Sequence, residues 1–298
     1  LDFIICGAGA SGLLLLKAIR EESFFNEKSI LIIEKEIKNV NDRTWSYWES
    51  PNGSFDSILS KKWSKANFCS EDFDSDFDLN PYQYKMLRSA AFYQSIRNKY
   101  SKLKNTIFLH AEVKNIDSKN IVTEVITSEG KFQSKKVFNS LFDPKPMINQ
   151  KKYPVLQQHF VGWFIKTKKP SFDSSKVFFM DFNIPQVQET RFIYVLPIDK
   201  HNALVEYTLF SENLLHFDDY ETGIKAYLDS KGITEYEIKE KEQGNIPMTC
   251  FPFEKINCRS LLHIGTAGGW TKASTGYTFM NTRRNIERLI PFLKTGAG

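Results

Sequence analysis

The chain has 298 residues, of which 41% are hydrophobic and 25% are charged, and its formal net charge is +5. This composition excludes disordered, collagen-like and low-complexity chains and predicts a globular protein of one large or two modest domains. The Lys and Arg residues are spread along the chain, so nucleic acid is not predicted as a partner.

The chain begins with the pattern of a dinucleotide-binding unit. An apolar run at 1–6 predicts a buried parallel strand, and 13–20 and 29–33 predict a helix and a second strand. Residues 7–12, GAGASG, form a G-x-G-x-x-G turn between the first strand and the helix. Glu34 ends the second strand, where a carboxylate is expected to accept hydrogen bonds from the adenosine ribose and to disfavour a 2′-phosphate.

Each position of this turn has a predicted role in cofactor binding. Gly7 permits the tight turn, Gly9 lets the backbone approach a pyrophosphate, and Gly12 lets the helix pack closely on the strand. Ala10 and Ser11 lie at the helix N-terminus, whose free N–H groups and positive potential favour phosphates.

The middle of the chain changes in character. Residues 81–100 have apolar positions at helical spacing and predict a helix, and 106–113 predict a strand. The acidic segment 72–78 resembles the start of a calcium-binding loop but has no glycine at the sixth position, so we predict a solvated loop. Four strands separated by turn signals between 157 and 210 predict an antiparallel sheet. The histidines and cysteines have no metal-ligand spacing, and no metal is predicted.

A second glycine-rich segment favours FAD over NAD. It follows an apolar strand at 260–264, and its backbone amides, at Gly265, Gly268 and Gly269, are predicted to contact the pyrophosphate or the isoalloxazine. Val113 is assigned to the same cofactor site.

The predicted fold is α/β, with a Rossmann-like FAD-binding domain and an inserted antiparallel β-sheet substrate domain, as in flavoprotein monooxygenases. The FAD-binding domain is predicted over 1–150, with part of the substrate region at about 41–100. The substrate domain is predicted over 151–250, and 251–298 return to the FAD-binding domain. The start at Leu1, without Met, and the end soon after a helix predict a fragment with its C-terminal region missing.

Seven ordered segments resemble the bacterial FAD-dependent lycopene cyclases, and together they cover nearly the whole chain. The most distinctive is 41–49, NDRTWSYWE, in which Ser46 stands where a Cys is often found in the family. The other segments lie at 158–163, 179–181, 194–197, 203–208, 244–248 and 263–269, the last followed by 272–279.

The resemblance implies a lycopene beta-cyclase, an isomerase of carotenoid biosynthesis that converts lycopene to gamma- and beta-carotene without net redox change. In such a reaction an acid protonates C2 of the terminal double bond, C5=C6 attacks the cation at C1, and a proton leaves C6. The family further implies reduced FAD, which either stabilises the cation by its charge or takes part in proton transfer, and NAD(P)H as the external reductant. The expected substrates are lycopene and other acyclic carotenoids.

A hydrocarbon substrate also implies a location. Each buried CH₂ group is worth ~0.8 kcal/mol, so lycopene does not leave a bilayer for water unaided. We therefore expect a cytoplasmic protein that is peripherally associated with the inner face of the cytoplasmic membrane. The sequence has no run of about 18 apolar residues that would span it.

Glu206 is the predicted general acid. It aligns with the family's acidic motif and lies on an apolar strand, where desolvation is expected to raise its pKa. Asp42 and Glu49 are second candidates for acid, base or positioning, and Arg43 is predicted to bind flavin or to pair with Asp42. Three tryptophans either line the polyene path or pack in the core: Trp45, Trp48 and Trp163.

Two other functions remain open on the sequence. One is an FAD-dependent monooxygenase or halogenase of related topology, although those enzymes carry Gly-Asp in the late motif, where this chain has Gly265 and Thr266. The other is an inactive carotenoid-binding fragment.

Overall fold

The computed structural model describes residues 1–119 and 121–295. Residues 296–298, the end of the segment predicted to return to the FAD-binding domain, lie outside the described residues, as does residue 120. The chain forms two compact units. The first comprises Leu1–Asn41, Ser89–Pro154 and Thr249–Gly298, and the second comprises Asp42–Arg88 and Val155–Met248.

Strands outnumber helices in the described part of the chain. In chain order, the strands are β1 (Phe3–Cys6), β2 (Ile30–Glu34), β3 (Thr44–Glu49), β4 (Lys61–Trp63), β5 (Lys65–Ser70), β6 (Phe73–Asp78), β7 (Gln83–Arg88), β8 (Thr106–His110), β9 (Val113–Ser118), β10 (Thr123–Thr127), β11 (Gly130–Ser134), β12 (Lys136–Asn139), β13 (Val155–Thr167), β14 (Val177–Asp181), β15 (Thr190–Pro197), β16 (Asn202–Ser211), β17 (Tyr236–Thr249) and β18 (Leu261–His263). The helices are α1 (Ala10–Glu21), α2 (Ser89–Tyr100), α3 (Lys145–Ile148), α4 (Phe217–Ser230) and α5 (Phe279–Lys294).

The first unit is built on a five-stranded parallel sheet in the order β18-β12-β1-β2-β8. All four residues of β1 are buried, as expected for a central parallel strand with elements on both faces. Helix α1 follows β1 directly through the glycine-rich turn and packs against α5. A separate antiparallel sheet is formed by β9, β10 and β11.

The second unit contains a seven-stranded sheet in the order β17-β13-β16-β15-β14-β5-β6, in which β5 and β14 are parallel. Helix α4 covers one face, where Trp163 and Val205 pack with Ile224. Because side chains alternate along a strand, Leu204 and Glu206 lie on the opposite face. A small antiparallel sheet, β3-β7-β4, belongs to the same unit.

The predicted α/β class, a parallel sheet with separate and mainly antiparallel sheets, is confirmed. The parallel sheet forms because its strands are continuous apolar runs joined by helical crossovers. The antiparallel sheet forms from strands joined by short turns, such as the turn from β15 to β16. Among the described residues, no helix combines the length and the apolar character needed to cross a bilayer.

The helix predicted over 81–100 is wrong in its first part. Gln83–Arg88 is the central strand of the small sheet, and α2 begins only at Ser89. Tyr84 and Met86 pair with β3 and β4, whose residues are distant in sequence. Tertiary pairing therefore overrides an apolar spacing that resembles a helix.

Two further expectations are corrected. The strand predicted over 106–113 ends at His110, because the chain leaves the parallel sheet there and Val113 begins β9 of another sheet. The acidic segment at 72–78 is exposed, as expected, but it forms strand β6 rather than a loop. It pairs with β5, where the Asn67 amide donates to the carboxylates of Asp74 and Asp76 at 2.7 and 2.8 Å.

Candidate functional site

Two glycines of the glycine-rich turn in the first unit have different roles. Gly12 allows close packing, and Gly9 leaves open space beside the helix. A Cβ atom at Gly12 would lie 2.0 Å from the carbonyl oxygen of Gly7, so only glycine lets α1 approach the turn this closely. A Cβ atom at Gly9, the residue that caps α1, would meet no described atom within 4 Å. The space beside Gly9 is therefore open to a ligand, next to the free N–H groups of the helix N-terminus.

The side chain of Glu34 is hydrogen-bonded to this turn. Its Oε2 accepts a hydrogen bond from the backbone N–H of Ala8 at 2.7 Å, and its Oε1 accepts one from the N–H of Glu36 at 3.0 Å. The carboxylate thereby fixes the turn against the end of β2. Because a carboxylate offers about four acceptor positions, two remain for ribose hydroxyls.

A pocket of about 290 Å³ lies beside the turn. Its volume is near the lower limit of small-molecule sites, so it suits the adenosine end of a dinucleotide rather than all of one. The guanidinium of Arg97 lies 5.5 Å from the ring centre of Phe108 in its wall. Its lining includes Ala8, Glu34, Lys38, Arg97, Phe108 and His110.

The late glycine-rich segment lies against the first motif. Gly265 has φ +62°, and a Cβ atom there would be 1.9 Å from Oγ of Ser11, so a side chain is excluded by both conformation and space. A Cβ atom at Gly268 or Gly269 would similarly overlap neighbouring residues of the same unit. Val113, in contrast, packs at the edge of the apolar core of the first unit. The structure thus places Ser11 of the first glycine-rich turn directly beside Gly265 of the second.

In the second unit, Glu206 occupies the middle of β16, a strand paired on both sides. It lies opposite Gly162 on β13 and opposite Tyr194 on β15. Its side chain is only 9% exposed, and its Oε1 accepts a hydrogen bond from the hydroxyl of Thr208 at 2.7 Å. Within the described part of the chain, Glu206 forms no ion pair.

A second carboxyl group lies beside Glu206. A Cβ atom at Gly162 would be 3.3 Å from Cγ of Glu242 and 3.4 Å from Cβ of Glu206, so both side chains flank the same glycine. Glu242 comes from β17, the strand on the other side of β13. Its Oε2 accepts a hydrogen bond from the Thr44 hydroxyl at 2.6 Å. The missing side chain of Gly162 therefore leaves room for the side chains of both glutamates beside it.

The environment favours a protonated Glu206. Desolvation raises the pKa of Glu206 to about 8, the neighbouring Glu242 adds to the increase, and the Thr208 hydroxyl opposes it. Burial also raises the pKa of Glu242 and the neighbouring Glu240 adds to the increase, whereas the hydrogen bond from Thr44 and the positive charges of Arg88 and Arg43 act against it. The like charge of Glu242 therefore acts to keep the proton on Glu206.

Aromatic rings share the sheet face of Glu206. Tyr194 lies 5.7 Å from Phe179, and Phe179 lies 5.1 Å from Trp48, measured between ring centres. Trp163 is fully buried on the opposite face, under α4, so its role is core packing. Trp48 is half-buried and also lies 4.8 Å from the ring centre of Tyr84.

The other predicted acid, Glu49, is held in an ion pair. Its Oε2 lies 3.0 Å from Nζ of Lys85, which is fully buried and also contacts Asp56 at 2.5 Å. Asp42 is half-exposed, and the Arg43 guanidinium donates to its backbone carbonyl oxygen at 2.6 Å. Whether these residues act in catalysis or in flavin binding stays a prediction.

Sequence reasoning missed Glu242, Arg88, Thr44 and the space at Gly162. The strand that carries Glu242 reads YEIKEKEQG, in which three glutamates and two lysines alternate, so no local signal distinguishes Glu242 from its neighbours. Among the described residues, no group of three or more His, Cys, Asp or Glu side chains is placed to hold a metal ion.

Comparison with solved structures identifies the fold. A geranylgeranyl bacteriochlorophyll reductase-like protein from Thermoplasma acidophilum gives a TM-score of 0.73 at 13% identity over 99% of this chain and 78% of that one. A flavin-dependent halogenase from Xanthomonas campestris gives 0.71 at 9% identity over 97% and 70%. A p-nitrophenol 4-monooxygenase from Pseudomonas putida gives 0.65 at 14% identity over 100% and 81%. At these identities the likeness concerns the fold alone.

Sequence comparison identifies the family. No curated protein matches the chain. The family model described as lycopene cyclase protein, however, matches residues 2–293. Since this match spans almost the whole chain, the protein belongs to the lycopene cyclase family.

Proposed function

We propose that the protein is a lycopene beta-cyclase, an isomerase that closes beta-ionone rings at the ends of lycopene. The observation that carries this proposal is Glu206, a buried carboxyl group on an aromatic-lined sheet face, where burial and a neighbouring carboxyl group raise its pKa to about 8. Protonation of an alkene needs an acid shielded from water, and the environment of Glu206 supplies one.

The chemistry follows from this placement. Glu206 delivers its proton to C2 of the terminal C1=C2 bond, and the C5=C6 bond attacks the resulting cation at C1. The attack forms the C1–C6 bond that closes the ring and moves the positive charge to C5. Loss of a proton from C6 to a base then restores the C5=C6 double bond, so one proton is gained and one is lost with no change in electron count. The ring faces of Tyr194, Phe179 and Trp48, on the side of the sheet that carries Glu206, favour a cation through their quadrupoles.

The first unit fits FAD. Gly9 leaves open space at a helix N-terminus for the pyrophosphate, Glu34 lies at the pocket for the adenosine, and Ser11 meets Gly265 beside them. When bound, reduced FAD would supply negative charge that stabilises a cationic intermediate. The proposal includes NAD(P)H as the external reductant of the flavin.

The two units receive different roles in this proposal. The first unit, with the glycine-rich turns, binds FAD, and the second unit, with Glu206, binds the end of the carotenoid. We also propose that the protein acts in the cytoplasm on the inner face of the cytoplasmic membrane, where its substrates dissolve. Flotation with anionic vesicles tests this location, and a protein that stays entirely with the buffer fraction contradicts it.

Carotenoid analysis in a lycopene-producing bacterial host tests the function. We expect gamma- or beta-carotene to form, and to form without oxygen, because the reaction is redox-neutral. The likeness to a halogenase and a monooxygenase makes an oxidative flavoenzyme the second candidate. An oxygenated or halogenated product that requires oxygen would favour that candidate, and bound but unchanged lycopene would indicate a carotenoid-binding protein.

The flavin site has its own test in a pair of glycine variants. Gly9→Val should abolish binding of FAD to a folded protein, because its side chain would occupy the open space beside the helix N-terminus. Gly12→Ala should instead lower the melting temperature, since its Cβ atom would overlap the Gly7 carbonyl oxygen. Flavin absorbance after gel filtration, together with circular dichroism, separates the two effects. Full flavin content in a folded Gly9→Val protein contradicts the assignment.

A further inference from the structure

We propose that Glu242 is a positioning residue of the acid site, whose ionised carboxylate holds the transferable proton on Glu206. The inference rests on the proposed function, since it assigns Glu242 a part in the same reaction. Its physical content, the coupling of two buried carboxyl groups, can be measured in the protein without substrate.

The first argument is the position of the pair in the sheet. Glu242 on β17, Gly162 on β13 and Glu206 on β16 lie in a row across three neighbouring strands. Any side chain at Gly162 would overlap Leu204 at 2.9 Å and press on both glutamates. The glycine therefore leaves each carboxyl group as the near neighbour of the other.

The second argument is the unequal environment of the two groups. Thr44 donates its hydroxyl to Glu242, and the charges of Arg88 and Arg43 oppose the increase in its pKa that burial and the neighbouring Glu240 produce. Arg88 is itself anchored, because its guanidinium pairs with Glu240 and lies 3.9 Å from the ring centre of Phe164.

Glu206 has less compensation among the described residues. Burial and the like charge of Glu242 raise its pKa, and the hydrogen bond from the Thr208 hydroxyl is the opposing interaction. One negative charge in this site is therefore stable on Glu242, whereas a second charge on Glu206 would be buried beside a like charge.

This asymmetry has a use in the reaction. A general acid works best when its pKa lies near the pH at which it operates, so that it is protonated and can still release the proton. Glu242 raises the pKa of Glu206 towards that range beyond the effect of burial alone. After Glu206 has given its proton away, repulsion between the two carboxylates favours its reprotonation for the next ring closure.

The test compares Glu242→Gln with Glu237→Gln. Both substitutions remove one negative charge from β17, but Glu237 is exposed at the far end of the strand. Isotope-edited infrared titration of the substrate-free protein, with Glu206→Gln to assign the signal, measures the pKa of Glu206. We expect Glu242→Gln to lower this pKa by about one unit, a size typical of the loss of a nearby like charge, and Glu237→Gln to leave it unchanged.

Three further readouts sharpen the result. The alkaline limb of the cyclisation rate should move to lower pH in Glu242→Gln by the same amount, while the rate below that limb stays within a few-fold of wild type. Glu242→Asp, which keeps the charge, should restore most of the raised pKa. In the unaltered protein the two carboxyl groups should titrate in separate steps, with Glu242 ionising first.

The possible outcomes separate the two proposals. An unchanged pKa of Glu206 in Glu242→Gln overturns the inference, and so does a single shared titration step in the unaltered protein. Loss of cyclisation at every pH with no change in that pKa also overturns it. A lowered pKa in a protein that forms no cyclic carotenoid supports the coupled pair and contradicts the proposed function instead.

Discussion

Two buried glutamates of the second unit differ in the charged and polar groups next to their carboxyl groups. Glu49 and Glu206 are both on strands, and both side chains are 9% exposed. Glu49 meets the ammonium group of Lys85 at 3.0 Å, and a second carboxylate, that of Asp56, shares the same lysine. Glu206 meets a hydroxyl and another carboxyl group.

The difference shows that burial alone does not make a proton donor. A buried carboxylate that faces an ammonium group is stabilised as an anion and has no proton to give. A buried carboxyl group that faces a like group retains its proton to a higher pH. The neighbouring carboxyl group of Glu242 therefore supports Glu206 as the acid. Glu49 instead forms a buried ion pair with Lys85, the ionic anchor, which links β3 to β7.

The largest expected effect concerns the chemical step. Glu206→Gln keeps the shape of the side chain and its hydrogen bond with Thr208 but removes the proton, so cyclisation should fall by about 10²–10⁴-fold. Flavin content should not change. Product formation with chemically reduced FAD and without oxygen is the measurement, and Asp42→Asn is the comparison. A nearly unchanged rate in Glu206→Gln, with an inactive Asp42→Asn, would falsify the assignment of the acid.

The second effect concerns the ionic anchor. Lys85→Met leaves Glu49 buried without its cation, so the free energy of unfolding should fall by about 3–5 kcal/mol. Lys62→Met is the control, because Lys62 also contacts Asp56 but is half-exposed, and it should cost less than about 1 kcal/mol. Urea unfolding monitored by tryptophan fluorescence measures both values. Equal losses in the two variants would show that burial of the pair does not matter.

The third effect is a pH dependence of stability. Because the folded state raises the pKa of Glu206 from 4.5 to about 8, its contribution to stability is complete below pH 4.5 and is lost as the pH rises through about 8. Glu206→Gln cannot ionise, so above pH 8 it should be more stable than the unaltered protein by up to about 5 kcal/mol, since one pKa unit corresponds to about 1.4 kcal/mol. Urea unfolding across this pH range tests the prediction. A variant that is less stable at high pH would mean that Glu206 is charged and paired there.

Much of the first unit was predictable because its signals are local. The strand, the glycine turn, the helix and Glu34 all fall within the first 34 residues, and each position has a distinct steric or hydrogen-bonding reason. The strand with Glu206 was also predictable, since apolar residues surround a single acid. Strand β7 was not, because its hydrogen-bond partners lie on distant strands and its apolar spacing also suits a helix.

The sequence by itself determined the α/β class, the glycine turn with its acid, the family and the choice of Glu206 as candidate. Only the tertiary structure decided the partners of the buried charges. Glu242 lies next to Glu206 because β13 places Gly162 between them, and Lys85 meets Glu49 because β7 pairs with β3. The physical reason is that local sequence sets backbone periodicity and burial, whereas the charge state of a buried group depends on neighbours that strand order supplies from elsewhere in the chain.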